Sequence, residues 1–408
     1  MEIERTIGPV IEKISRGFPV LLLSGMRQIG KSWVMERLGG RRRRYVSLDD
    51  LKARALAASD PKRFIEENPP PVIIDEVQYA PELFTYIKIY VDKSRKNGLF
   101  WLTGSQKYHL MKGMQESLAG RVAILNMLGF SYKEIIKKPR GSVPFLPSLE
   151  LPKKAPLSRP LTSPELYTKI WQGSFPRIIT NKNTLTARKF FYDSYIQTYI
   201  GRDVKDFYNI ENALDFYSFL VAVAARTGQL LNYSDLARDV HVDLRTAKLW
   251  LEVLERSGVV KLLYPYSSNI AKRAIKTPKI YFLDTGLASY LCSWDTADAL
   301  RNGAQSGAML ETYAFAEILK SYWHNGDNPN IYFYRDTDQK EIDFVIERNM
   351  ILYPMEVKKT ANPGAEDYRA FKNLSVFKKR IGPGAVICLY NRTTSIDKNV
   401  ISVPVWEI

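Results

Sequence analysis

The chain has 408 residues, more than one hydrophobic core accommodates, so roughly two to four domains are expected. Hydrophobic content of 45% supports ordinary globular folding. A net charge of +16, from 59 Lys and Arg against 43 Asp and Glu, favours a polyanionic partner, nucleic acid before membrane, with a generally basic proteome as the competing explanation. Two cysteines, Cys292 and Cys388, and three histidines leave no ligand set for structural zinc. No apolar run approaches the roughly 20 residues of a membrane span. The start, Met1-Glu2-Ile3-Glu4, lacks the build of a signal segment, so a reduced, cytoplasmic protein is expected.

Residues 1 to about 136 alternate apolar strands with helical patterns, as an α/β nucleotide-binding domain does. The apolar run Val20-Leu21-Leu22-Leu23 leads into Gly25-Met26-Arg27-Gln28-Ile29-Gly30-Lys31-Ser32, a complete phosphate-binding loop, and a helical pattern follows through Trp33. In such a loop glycines let backbone amides face the phosphates, Lys31 reaches the β and γ oxygens, and Ser32 ligates magnesium. The helix that begins there adds its N-terminal dipole. Val72-Ile73-Ile74-Asp75-Glu76 reads as an apolar strand ending in two acids. There Asp75 can hold magnesium through water and Glu76 can polarise the attacking water; a strand capped by acids for solubility is the blander reading. A third strand, Leu99 to Thr103, ends in Gly104-Ser105-Gln106, which places Ser105 and Gln106 to sense the γ-phosphate. Arg121 is either a finger that neutralises transition-state charge, in a neighbouring subunit's site, or a surface salt bridge.

The segments SGMRQIGKS, VIIDEVQ, LTGSQ and ESLAGR resemble the prokaryotic AAA-type ATPases that carry a conserved C-terminal domain long catalogued as of unknown function. Two further matches are Gly173-Ser174-Phe175-Pro176, where that family usually has Gly-Gly-Phe-Pro, and Tyr199-Ile200-Gly201-Arg202-Asp203. The resemblance spans essentially the whole chain. It implies an AAA+ P-loop core at 1–136, ATP and Mg²⁺ as cofactors, and Arg177 or Arg202 as nucleotide sensors on a helical lid.

Residues 137–164 hold seven prolines, which forbids a helix or central strand and predicts a linker or surface strap. Residues 165–210 read as the helical lid, and 211–285 as a winged helix. In the latter, Tyr233 to Val240 is a short helix, and Leu244 to Ser257 a longer one, with Asp243 as N-cap and Gly258 as stop. Val259 to Leu263 and Lys279 to Leu283 supply the strands of the wing. Arg245, Thr246 and Lys248 occupy the early exposed turn that meets a nucleic-acid groove, while Leu244, Leu249, Leu251 and Leu254 can serve the core. Lys272, Arg273 and Lys276 lie in the wing, where cations suit phosphate contact without base specificity. A subunit-packing module is the alternative use of the same fold.

Residues 290–408 carry Glu341-Ile342-Asp343-Phe344-Val345-Ile346 and Tyr353-Pro354-Met355-Glu356-Val357-Lys358. Residues two apart on a strand share a face, so Glu356 and Lys358 point the same way. With Asn349-Met350 as a two-residue hairpin loop, Arg348 pairs with Ile351 and Asp343 with Glu356. Opposed side chains lie roughly 5 Å apart at Cβ, and two carboxylates that close need a cation or a proton between them. Oxygen ligands suit Mg²⁺ or Mn²⁺. This layout resembles the PD-(D/E)XK nuclease superfamily, which implies metal at Asp343, Glu356 and a helix-borne acid, here Glu311 in the helix Gly307 to Trp323. Lys358 would position or activate water. Helix Glu366 to Arg380 and strand Ala385 to Tyr390 would complete the small core, either cleaving DNA or only gripping it.

The expected function is therefore an ATP-hydrolysing AAA+ ATPase that acts on DNA. A branch-migration motor also pairs an AAA+ core with a winged helix, and by that analogy branched or recombining DNA is the substrate expected. If Arg121 works in trans, the active form is a homo-oligomer, with a hexameric ring as the candidate. The competing class is a signalling or defence switch whose C-terminal domains bind protein partners.

Overall fold

The computed structural model describes residues 2–104, 117–139, 141–150, 159–181, 184–204, 212–269 and 277–408. They form two compact units. One comprises residues 1–130 with 256–258 and 323–326; the other comprises 131–255, 259–322 and 327–408.

The first unit is built on a five-stranded sheet of β1 (Val20–Ser24), β2 (Arg44–Ser47), β3 (Val72–Asp75), β4 (Phe100–Gly104) and β5 (Val122–Asn126). The order is β2-β3-β4-β1-β5 and every pairing is parallel. Strands β1, β3 and β4 are buried along their whole length. Their near-continuous apolar runs are what a parallel sheet covered on both faces demands. The core beside them takes Val20, Leu22, Ile74, Phe84, Phe100 and Leu102. Register pairs Ser24 with Gly104 and Ile74 with Leu102. The carboxyl ends of β1, β4 and β3 therefore lie side by side, and the phosphate loop and the acidic strand end meet across β4.

The second unit opens with the short helix Tyr132–Ile135 and continues into the proline-rich strap, of which 141–150 has no regular structure; the amide of Phe145 donates to Ser321 Oγ at 2.9 Å. Thr162 closes a capping box with Glu165 and starts the helix Ser163–Gln172. Helices Pro176–Thr180, Thr184–Thr198 and Ala213–Ala224 follow, with a π-helical turn at Tyr199–Val204. A small antiparallel sheet of β6 (Gln229–Leu230), β7 (Val260–Leu263) and β8 (Lys279–Phe282) has the order β6-β8-β7. Helices Tyr233–Asp239 and Leu244–Arg256 connect β6 to β7. Asp243 Oδ1 accepts from the amides of Arg245 (2.8 Å) and Thr246 (3.0 Å), as an N-cap does. The long helix buries Ala247, Trp250, Leu251, Val253 and Leu254. Leu244 and Leu249, expected in the core, are 43% and 49% exposed. Leu249 lies off the buried stripe, and Leu244 lies in the first turn, three residues before that stripe begins.

A seven-stranded mixed sheet completes this unit: β9 (Ile331–Arg335), β10 (Glu341–Arg348), β11 (Ile351–Val357), β12 (Arg380–Ile381), β13 (Gly384–Cys388), β14 (Thr394–Asp397) and β15 (Val400–Pro404). The order is β14-β15-β13-β11-β10-β9, with β12 beside β11. The helix Ser306–Trp323 is buried along most of its length. Hairpin β10–β11 has the expected register, Arg348 opposite Ile351 and Phe344 opposite Met355. Asn349 and Met350 both take positive φ, as the favoured two-residue turn requires. The segment expected as a helix from Glu366 to Arg380 is a 3₁₀ helix, Ala365–Phe377. It ends early because Arg380 and Ile381 pair with β11 as β12.

Candidate nucleotide site and C-terminal acid cluster

The loop after β1 turns tightly against its own unit. A Cβ on Gly25 would fall 2.1 Å from the Met127 carbonyl oxygen, so only glycine fits there. Gly30, in the left-handed region, opens the helix Lys31–Gly39. Met26 and Ile29 are buried, so their side chains pack and only their backbone is left to face a ligand. Arg27 donates to Tyr79 Oη at 3.3 Å, Gln28 is exposed with positive φ, and Trp33 is 43% exposed beneath the Arg37 guanidinium.

Lys31 is buried, with Nζ donating to the carbonyls of Gly25 (2.9 Å) and Met26 (2.7 Å). It is held at the mouth of the loop by the loop itself. Ser32 Oγ donates to Asp75 Oδ1 at 2.8 Å. This brings together a hydroxyl and a carboxylate oxygen from two elements, the hard oxygen pair Mg²⁺ takes in nucleotide sites, and the donor set fits that ion. Thr103 at the end of β4 also donates to Asp75 Oδ1, and Tyr45 donates to Oδ2 at 2.7 Å. Burial and the bond to Asp75 push the Tyr45 phenol well up. Glu76 sits next in the left-handed region, its amide on Thr103 Oγ1 and its carboxylate accepting from Gln78. A bulky residue holds that backbone only when its surroundings fix it, and such residues gather at reactive sites.

Sequence reasoning missed two residues here. Arg5 donates to Leu128 O (2.6 Å) and Gly129 O (3.4 Å), reaches Ile29 O of the phosphate loop (3.5 Å), and lies over the Phe130 ring. His324 Nε2 accepts from the Leu128 amide at 3.2 Å. Neither sits in a motif, and no pattern in the chain links them.

Arg121 makes a bidentate pair with Asp92, at 2.6 and 3.0 Å, on helix Leu83–Ser94. Of the two readings offered by its sequence, the surface salt bridge is the one formed within this chain, and a finger would have to leave it. Ser105 and Gln106 lie outside the described residues, as do Lys272, Arg273 and Lys276. Arg245 and Lys248 are exposed on their helix; Thr246 is half-buried and its hydroxyl is engaged by the Asp243 cap at 2.5 Å. Arg177 is exposed, and the side chain of Arg202 is not among those described.

The motif Gly173-Ser174-Phe175-Pro176 is architectural. Asp284 Oδ2 accepts from the Ser174 amide (2.7 Å) and hydroxyl (2.8 Å), while Oδ1 accepts from Tyr192 Oη (2.9 Å) and the Leu287 amide (2.8 Å). A Cβ on Gly173 would lie 2.5 Å from Asp284 Oδ1.

In the second unit the hairpin brings Asp343 and Glu356 together. The Asp343 amide donates to Glu356 Oε2 (3.3 Å), the Val357 amide to Asp343 Oδ2 (2.8 Å), and Lys358 Nζ to Glu356 Oε1 (2.7 Å). Glu356 and Lys358 do share a face. Burial and the Asp343 charge push the Glu356 carboxyl up to about 8. Glu311 joins through its helix and is pushed up to about 7 by burial and Asp343. The sequence leads these acids to be expected to share a metal; in the structure a lysine also lies among them. Lys279 on β8, 3% exposed, places Nζ 2.9 Å from Glu311 Oε1, 2.5 Å from Glu341 Oε1 and 3.8 Å from Asp343 Oδ1. Tyr281 donates to the same Glu311 oxygen at 2.5 Å. The Lys279 ammonium thus lies among three carboxylates, of which Glu311 and Asp343 are expected metal ligands, while Glu356 pairs with Lys358. Among the described residues no group of three His, Cys, Asp or Glu is arranged to hold a metal.

Comparison with known proteins finds three family matches along the chain. Residues 17–136 match the AAA domain family. Residues 163–298 and 306–408 match two families described as domains of unknown function, DUF8612 and DUF4143. Uncharacterized proteins of Mycobacterium bovis and Mycobacterium tuberculosis are each 28% identical over 347 residues, 85% of this chain and 71% of theirs. The Thermotoga maritima RuvB Holliday junction branch migration motor is 16% identical over 64% of this chain and 89% of its own, with a TM-score of 0.31. A DNA replication initiation factor is 16% identical over 61% and 85%, with a TM-score of 0.28. Both scores lie below the level at which a shared fold follows. The chain carries an AAA-type nucleotide-binding domain, with its phosphate loop and acidic strand end in one compact unit. Among the described residues no helix is long and apolar enough to cross a membrane.

Proposed function

We propose that the protein hydrolyses ATP and couples the hydrolysis to action on DNA, with branched DNA the preferred substrate. The observation that carries the ATPase reading is the meeting of Ser32 Oγ and Asp75 Oδ1 at 2.8 Å beside the loop that holds Lys31. In this reading the loop amides from Gly25 to Ser32 and Lys31 bind the phosphates. Ser32 and Asp75 would hold Mg²⁺, which when bound would supply positive charge against the phosphates. Glu76, fixed by the Thr103 contact, orients and deprotonates the attacking water.

The DNA reading is supported by the +16 charge and by the exposed Arg245 and Lys248 early on the second helix of a helix–helix–strand–strand unit. That unit has the order of elements of a winged helix, and the hairpin β10–β11 with its helix Ser306–Trp323 has those of a PD-(D/E)XK-like fold. Lys272, Arg273 and Lys276 would extend the basic surface. Arg121, released from Asp92, would act on a neighbouring subunit in a homo-oligomer, with a hexamer as the first number to test.

The test is ATP turnover measured with single-stranded, duplex and four-way DNA at low salt. Stimulation that is greatest with four-way DNA, and binding that weakens steeply with salt, is the expected result. Turnover indifferent to every DNA, with no DNA binding at low salt, would reject the coupling and favour the switch reading, in which the C-terminal domains bind protein.

A further inference from the structure

The C-terminal acids have the sequence spacing of a metal site and the geometry of something else. Four carboxylates converge there: Glu311 from the helix Ser306–Trp323, Glu341 and Asp343 from β10, and Glu356 from β11. Their charge is met from inside the protein. Lys279 Nζ lies within 4 Å of Glu311, Glu341 and Asp343; Arg335 reaches the far oxygen of Glu341 at 3.3 Å; Lys358 takes Glu356. The lysine stem is not free to retreat, because β8 is buried along its length and Nζ stands 5.8 Å from the Phe333 ring centre. Mg²⁺ or Mn²⁺ needs carboxylate oxygens at about 2.0–2.2 Å, within the space this ammonium fills, and two cations so close repel.

Lys279 also comes from a different sheet. The three-stranded sheet that bears it joins the C-terminal sheet at one isolated bridge, Pro265 to Phe333, where the Tyr266 amide donates to Phe333 O (2.6 Å) and the Phe333 amide to Tyr264 O (3.2 Å). The ion cluster is a further attachment between the same two sheets, beside the Tyr281–Phe344 ring contact at 5.9 Å.

We infer that Lys279 is the resident cation of the acid cluster, that the cluster excludes divalent metal, and that it is an ionic joint between the two sheets. Any grip this domain has on a nucleic acid is then metal-independent, and the domain does not cleave. The inference stands on geometry in one unit and holds or fails apart from the ATPase and DNA readings.

The test is Mn²⁺ titration of the full chain without nucleotide, followed by electron paramagnetic resonance, in the wild type, Asp343→Asn, Lys279→Arg, Lys279→Met and Lys279→Met with Asp343→Asn. Wild type and Asp343→Asn should bind Mn²⁺ alike, and Lys279→Arg should match them. Lys279→Met should gain one site per chain, at least tenfold tighter than any wild-type background, that the added Asp343→Asn removes. Wild-type Mn²⁺ binding that Asp343→Asn abolishes would overturn the inference, as would a folded Lys279→Met that gains no site. If Lys279→Met does not fold, the comparison of wild type with Asp343→Asn decides alone.

Discussion

The nucleotide loop and the C-terminal acid cluster use the same residue types to opposite ends. Each has a buried lysine and acids carried at least in part by strands. In the first, Lys31 donates to two backbone carbonyls and Asp75 accepts from the hydroxyls of Ser32, Tyr45 and Thr103, with no ion pair to Asp75 among the described residues. In the second, Lys279 arrives from another sheet and neutralises the acids directly. A carboxylate left to hydroxyl partners is ready for a metal; one given an ammonium is not. What separates the two sites is where the counter-charge comes from.

The largest break in this comparison is expected at Lys31. Lys31→Ala should lower ATP turnover by about 100-fold or more and weaken nucleotide binding, since a charge-stabilising donor is removed from the transition state. Steady-state hydrolysis and nucleotide titration check this; normal turnover would reject the site. Glu76→Gln should slow hydrolysis by about 10²–10⁴-fold while ATP stays bound, as loss of a general base predicts. Radiolabelled nucleotide retained on the protein is the readout, and undiminished hydrolysis would remove Glu76 from water activation.

On the other side of the comparison the loss is one of stability. Lys279→Met leaves buried carboxylates without their cation, which costs about 3–5 kcal/mol unless they take up protons. Chemical denaturation should show it, and Lys279→Arg should recover most of it. An unfolding midpoint unchanged by Lys279→Met would mean the cluster is not a joint.

A smaller effect follows from pH. Glu311 and Glu356, facing Asp343, Lys279, Tyr281 and Lys358, hold protons in the folded state up to about 7 and 8, well above an ordinary glutamate. The folded chain then binds more protons than the unfolded one between about pH 4.5 and 8, so their contribution is present in acid and fades as pH rises through that window. Burial is the main cause of both shifts and the Asp343 charge the next, so Asp343→Asn should lessen the slope without abolishing it. The smallest change is expected at Ser174→Gly, which restores the residue usual in the resembled family. It deletes one of the bonds to buried Asp284 and should cost about 1–3 kcal/mol with no effect on turnover.

Much of the first unit was legible because its pattern is local. The loop from Gly25 to Ser32 and the strand end at Asp75 and Glu76 are each contiguous in sequence, and the parallel sheet only brings the two together. The hairpin register was legible for a similar reason: a two-residue loop at Asn349 and Met350 fixes every pair outward from it. Asp243 announced its cap by standing immediately before an amphipathic run.

What was not legible depends on partners far apart in the chain. Lys279 read as one more residue of a wing strand, yet its partners are Glu311, Glu341 and Asp343. Arg121 finds Asp92 on a helix, and Arg5 reaches the loop from before the first strand. Leu244 and Leu249 fit a crude apolar pattern, but only the packed helix shows which side the core covers. The 3₁₀ segment Ala365–Phe377 read as an ordinary helix until Arg380 and Ile381 were claimed by β11.

The most direct test of the contrast is Mn²⁺ bound by the full chain in the presence of ATP, compared between wild type, Asp75→Asn and Asp343→Asn. Expected is one tight ATP-dependent Mn²⁺ per chain, weakened at least tenfold by Asp75→Asn and untouched by Asp343→Asn. A tight Mn²⁺ that survives Asp75→Asn and is lost with Asp343→Asn would contradict it, and would place the metal chemistry of this chain in its C-terminal sheet.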